Sequence, residues 1–187
     1  MKKILISLTA LATISSASWI GALAPNGNVG AVSISVGQAT IDSKTKPIYT
    51  LNLSGNYYYN NGVMFGASFS LGYTENPDTE VSTKAMGELN GKFRLGYSFG
   101  KLARGFGVYG IADYSYLMYN RSYINSITSE YEDETANAGG IGFGGGAEYR
   151  FDSNWLVTAS YTTTTMSPDK GADFDYDKAL FSVGYTW

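Results

Sequence analysis

The chain has 187 residues, 13 basic against 16 acidic, and contains neither cysteine nor histidine. That length suits one domain, and an acidic chain without clustered Lys and Arg is not a nucleic-acid binder. The missing residue types exclude disulfides, thiolate or imidazole metal sites and a Ser-His-Asp constellation, so no cofactor, no metal and no enzyme activity are expected.

At the start, Lys2-Lys3, the apolar run Ile4–Ile14 and the small residues Ser15–Ser18 follow the order of a secretory signal peptide. The apolar run is too short for a spanning helix, which takes ~20 residues. Cleavage is expected after Ala17 or Ser18, which makes 1–18 the signal peptide and 19–187 the mature domain. Ala22-Leu-Ala24 has a similar shape but would leave Pro25 first. Removing Lys2 and Lys3 takes the formal net charge from −3 to −5.

Beyond the signal no segment is apolar enough for a membrane helix, and the apolar pattern becomes period two, which points to strands. Val32, Ile34 and Val36 oppose Ser33, Ser35 and Gly37. Tyr49, Leu51, Leu53, Gly55 and Tyr57 oppose Thr50, Asn52, Ser54, Asn56 and Tyr58. After the hairpin signal Asn60-Asn-Gly62, Val63 to Tyr73 alternate with Met64 to Thr74. The fourth segment sets Leu89, Gly91, Phe93, Leu95 and Tyr97 against Glu88, Asn90, Lys92, Arg94 and Gly96. In the fifth, Phe106, Val108, Ala112, Tyr114 and Tyr116 share a face, which leaves Ile111 and Leu117 on the polar side with Asp113.

The sixth sets Ile141, Phe143, Ala147 and Tyr149 against Gly142, Gly144, Gly146, Glu148 and Arg150. The seventh sets Trp155, Val157, Ala159 and Tyr161 against Leu156, Thr158, Ser160 and Thr162. The last carries Phe181, Val183, Tyr185 and Trp187 with Ser182, Gly184 and Thr186 between them. An alternating aromatic edge of this kind invites pairing with other chains in water, whereas in a membrane barrel it closes on strand one and shows its rings to lipid.

The connections are expected to alternate: long at Gln38–Pro47, short at Asn60–Gly62, long at Glu75–Thr83, intermediate at Ser98–Gly105, long at Asn120–Asn137, short at Phe151–Asn154 and long at Met166–Asp177. Outer-membrane barrels show this rhythm of external loops and periplasmic turns. Tyr and Trp near the segment ends fit interface girdles. The expected fold is all-β, an eight-stranded antiparallel up-and-down transmembrane barrel, located in the cell outer membrane of a Gram-negative bacterium.

Gly139-Gly-Ile-Gly-Phe-Gly-Gly-Gly-Ala-Glu-Tyr-Arg-Phe151, followed by Asn154-Trp155 and Tyr161, resembles the penultimate hairpin of small outer-membrane barrels. With the Tyr185-x-Trp187 ending, nearly the whole mature chain is similar to the superfamily of OmpA transmembrane domains, OmpX and opacity proteins. Many members end on Phe where this chain has Trp187, and the peptidoglycan-binding domain of full OmpA-like proteins is not expected here. The resemblance implies outer-membrane lipids, lipopolysaccharide and the barrel-insertion machinery as partners. It also implies that Phe181, Val183, Tyr185 and Trp187 form a C-terminal assembly signal.

Glu88, Lys92, Arg94, Asp113, Glu148 and Arg150 fall on the presumed inner face, a formally neutral set. An eight-stranded barrel is just wide enough for side chains to fill, so these charges are expected to pair as a plugging network. The expected role is non-enzymatic: envelope integrity, or contact with a host or other surface ligand through acidic, Tyr-containing external loops. The alternative is a small gated ion channel that uses the internal charges. Glu130-Tyr-Glu-Asp-Glu134 makes the third loop acidic, and Asp173, Asp175 and Asp177 alternate in the fourth. Such a run could share a divalent cation, but it lacks the Gly and distant Glu of a calcium-hand loop. A solvated rim is expected.

Overall fold

The computed structural model describes residues 28–41, 43–59, 61–75, 85–100, 104–124, 131–169 and 171–187. The expected signal peptide, 1–18, and Glu130 lie outside the described residues. Eight strands follow in chain order: β1 Asn28–Ile41, β2 Lys44–Tyr58, β3 Val63–Glu75, β4 Ala85–Ser98, β5 Gly105–Ile124, β6 Tyr131–Arg150, β7 Trp155–Pro168 and β8 Phe174–Thr186. Each pairs antiparallel with its sequence neighbours, and β8 pairs with β1, so the sheet is a closed barrel. Closure leaves no unpaired edge, as hydrocarbon demands of any backbone that crosses it.

The register fixes the barrel's shape. From Ala31 the ladder runs through Ser54, Ser68, Lys92, Asp113, Gly142, Thr164 and Tyr176 and returns to β1 at Ile41. Each circuit therefore climbs ten residues, Ala31 to Ile41, which for eight strands means a tilt of roughly 40°.

Alternation sorts side chains as the period-two pattern predicts. Ile34, Leu51, Leu53, Leu71, Phe93, Leu95, Ile141, Phe143, Phe181 and Val183 point outward and remain exposed, an apolar belt for lipid. At the periplasmic end rings pack edge to face, as Trp155 with Tyr185, Tyr149 with Phe151 and Tyr97 with Phe99, or stack, as Tyr57 with Phe65. Ile111 and Leu117 do face inward with Asp113, and both are buried.

Turns close the periplasmic end by local hydrogen bonds. Gly62 takes φ 86°, Val63 N donates to Asn61 Oδ1 at 3.1 Å, and Tyr59 N donates to the Val63 carbonyl at 2.9 Å. Phe151 N reaches the Trp155 carbonyl at 2.9 Å, with Asn154 at φ 66°.

The external connections differ from expectation. Within Gln38–Pro47, Gln38–Ile41 and Lys44–Pro47 are strand, with Gln38 opposite Pro47 and the Thr40 and Thr45 hydroxyls 2.9 Å apart. Asn120–Asn137 is mostly β5–β6 ladder, with Arg121 opposite Glu134 and Ser122 opposite Asp133. Met166–Asp177 likewise narrows to 169–173 between β7 and β8. Strands that rise beyond the bilayer keep their ladder but no longer need apolar outward residues, so their composition resembles that of loops.

Candidate functional site

The lumen holds the candidate site, and its contents are stacked in layers. Toward the external end Ile48, Met86, Leu117, Met166, Tyr176 and Leu180 form a buried apolar cluster with Ala39 and Ala138. Toward the periplasm Tyr58, Met64, Tyr109 and Ile111 form a second. Polar and charged groups fill the space along the axis between and around these clusters. Buried polar groups persist only where partners meet them, because an unpaired charge in low dielectric is costly.

The upper charged group centres on Lys178 of β8. Its Nζ contacts Glu88 Oε1, lies 3.5 Å from Asp113 Oδ2 and donates to Ser115 Oγ at 3.0 Å. Tyr176 OH donates to Glu88 Oε2 at 3.1 Å. Asn90 Nδ2 bridges Asp113 Oδ2 at 2.8 Å and Ser115 Oγ at 2.7 Å, and Ser115 Oγ donates to Glu88 Oε1 at 3.2 Å. Glycines opposite leave room for this cluster. A Cβ on Gly142 would stand 2.2 Å from both Asp113 Oδ1 and Thr164 Oγ1, and one on Gly72 would stand 3.0 Å from Glu88 Oε2.

The lower group joins Arg150 to Glu148 at 3.0 Å, with the guanidinium 3.8 Å above the Tyr58 ring centroid and Tyr58 OH donating to Glu148 Oε1 at 3.1 Å. A cation over a ring face gains from its quadrupole. A third polar group, Asn52, Ser35 and Ser182, lines the far wall: Asn52 Nδ2 donates to Ser35 Oγ at 2.7 Å, and Ser35 and Ser182 hydroxyls lie 2.7 Å apart.

All six charges expected inside are buried there: Glu88, Lys92, Arg94, Asp113, Glu148 and Arg150. They do not form one neutral network. Glu88 and Asp113 converge on Lys178, and Glu148 meets Arg150, whereas Lys92 and Arg94 have no carboxylate within 4.0 Å among the described residues. Among the described residues Lys178 makes the buried set four cations against three carboxylates, so neutrality is corrected to a formal excess of one positive charge among them.

Lys178 and Tyr176 escape a reading that starts the last strand at Phe181. Continuing its phase backward from Ser182 puts Leu180, Lys178 and Tyr176 on the inner face, where the structure has them buried. That backward phase is the signal that finds them. Asp175 and Asp177 point the other way, with Asp175 Oδ1 accepting from Thr165 Oγ1 at 3.4 Å. Among the described residues no group of acidic side chains is placed to hold a metal ion.

Of the C-terminal set, Phe181, Val183, Tyr185 and Trp187 all face outward. Gly30 N donates to the Trp187 carbonyl at 3.2 Å and Trp187 N to the Gly30 carbonyl at 3.0 Å, so the last residue completes barrel closure. Its indole lies over Gly30, where a Cβ would stand 2.5 Å from the ring.

A closed barrel with a lipid-facing belt and a side-chain-filled lumen matches, over residues 4–186, the family model described as outer membrane protein beta-barrel domain. The chain belongs to this family. Like other members, this outer-membrane barrel is an integral protein of the cell outer membrane. Among solved structures it is similar to Ail, the attachment invasion locus protein of Yersinia pestis, at TM-score 0.55 and 16% identity, covering 87% of this chain and 99% of Ail. It is also similar to Neisserial surface protein A at TM-score 0.52 and 11% identity, covering 84% and 96% of the two chains. Ail in complex with the heparin analogue sucrose octasulfate matches at TM-score 0.51 and 16% identity, covering 86% and 97%. At such identities the likeness is one of fold. No curated protein matches the sequence.

Proposed function

We propose that this outer-membrane barrel is a non-enzymatic surface protein that presents the β5–β6 hairpin to partners outside the cell while its filled lumen stays closed. The observation that carries this reading is length. β5 and β6 have 20 residues each where the other strands have 13 to 15, and a tilted crossing needs only ~9–11. The surplus is paired ladder, with Tyr123 opposite Glu132 and Ile124 opposite Tyr131, so the hairpin extends past the rim as a preformed element. Preformed backbone lowers the ordering cost of binding.

Its chemistry fits a basic partner. Glu132, Asp133 and Glu134 stand opposite Tyr123, Ser122 and Arg121, so complementary charge would speed encounter. The sulfated ligand of the Ail complex has the wrong sign for this tip. Two buried apolar clusters in the lumen support a closed barrel over an ion channel. Residues 1–18 serve as the signal peptide in this reading, and N-terminal sequencing of the membrane form gives the cleavage site.

The test places the barrel in lipid nanodiscs and reads binding to arrays of basic peptides and sulfated glycans, with and without residues 122–133 replaced by a two-residue turn. Salt-sensitive binding to basic peptides that disappears with the hairpin is expected. Binding unchanged by trimming, or confined to sulfated glycans, overturns the reading.

A further inference from the structure

We propose that the middle of the lumen binds one monovalent inorganic anion, held between the Lys92 ammonium and the Arg94 guanidinium. These residues are next but one on β4 and share its inner face, so their backbones lie only ~7 Å apart. Both are at least nine-tenths buried. Among the described residues Arg94 Nε and Nη1 have no hydrogen-bond partner, and Nη2 reaches only Ser68 Oγ at 3.5 Å. The Tyr109 ring, 5.1 Å from the guanidinium carbon, holds the group in place without neutralising it.

The carboxylates in reach are taken. Asp113 is contacted by Asn90, Ser115, Thr164 and Lys178, and Glu88 by Lys178, Tyr176 and Ser115. Glu148 keeps one unpartnered oxygen, Oε2. Turning Arg94 toward it would still leave four cations against three carboxylates among the described buried residues. That count does not depend on how the pairs are drawn. Water can accept the spare N–H groups, but it carries no charge to offset two adjacent buried cations.

One negative charge balances the excess, whereas a divalent oxyanion would overshoot it. β8, four strands around the barrel from β4, faces them with the small residues Ser182 and Gly184. Ser33, Ser54 and Ser160 also turn inward and are only partly buried, so the lumen has hydroxyls that solvent-sized groups can reach. Ammonium and guanidinium donors on one face suit a small anion such as a halide.

The test is urea unfolding of the full barrel from phospholipid vesicles in sodium chloride, with ionic strength held constant by sodium gluconate. The urea midpoint should rise with chloride and saturate; at tenfold the dissociation constant the folded-to-unfolded ratio rises about elevenfold. Lys92→Met and Ser68→Asp should each abolish the dependence, the first by removing a ligand and the second by supplying an internal carboxylate beside Arg94. If Lys92→Met does not fold, Ser68→Asp decides alone. Crystals soaked in sodium bromide should give an anomalous peak between Lys92 and Arg94 that Ser68→Asp loses. Equal midpoints in chloride and gluconate would overturn the proposal. A chloride response that survives Ser68→Asp, or bromide found only elsewhere, would overturn it as well.

Discussion

At the scale of single residues the lumen depends on which charge is shared. Among the described residues, Lys178 Nζ is the one cation within 4.0 Å of both Glu88 and Asp113. Lys178→Met should therefore leave Glu88 and Asp113 without a close cation and destabilise by ~3–5 kcal/mol, the range for breaking a buried pair from one side. Adding Glu88→Gln should restore part of that loss. Urea unfolding into vesicles of the two single variants and the double variant measures the coupling, and additive costs would show that the contact carries no energy. The two faces can be separated as sharply. Leu95 is 57% exposed toward lipid, so Leu95→Arg should cost ~2–4 kcal/mol if it sits at the midplane. Ser160→Ala, on the inner face and partly buried, should change the same midpoint far less.

At the scale of elements, what the sequence makes legible is what the bilayer enforces. Between Leu51 and Tyr57, or Phe181 and Trp187, every second residue must suit lipid, so phase and strand identity can be read directly. Above the rim that pressure ends: Gln38, Thr40, Thr45 and Pro47 are ladder residues with loop composition, and Asp175 and Asp177 hide the inward phase of Tyr176 and Lys178. Inner residues such as Ile111 and Leu117 also break a polar-inside rule, because a filled lumen has an apolar packing problem of its own. Glycines carry a separate message about shape. Gly142→Ala puts a methyl 2.2 Å from Asp113 Oδ1 and Thr164 Oγ1, so the charged cluster must shift, at ~1–3 kcal/mol. Gly55→Ala meets nothing within 4 Å and should be neutral or stabilising by up to ~1 kcal/mol. Equal costs for the two would show that inner-face space is not what β6 glycines provide.

At the scale of the whole molecule everything rests on one joint, the β1–β8 seam, which pairs residues far apart in sequence and must form last if the neighbouring hairpins form first. Trp187 acts there twice, through two backbone bonds to Gly30 and through an indole lying over Gly30. Deleting Trp187 removes both contributions, ~1 kcal/mol for each ladder bond and the ring's lipid and water contacts besides. Trp187→Ala keeps the ladder and loses only the ring. In refolding from urea the deletion should therefore be the weaker barrel of the two. In cells the order of effects should change. If Phe181, Val183, Tyr185 and Trp187 form the assembly signal that the resemblance to small outer-membrane barrels implies, both variants lose a recognised ring. Both should then accumulate unassembled, because delayed insertion leaves strand edges open to aggregation. Heat-modifiability on gels reads assembly, and vesicle refolding reads stability. Two variants that assemble in cells in proportion to their refolding stabilities would remove the signalling role and leave Trp187 as a structural clasp alone.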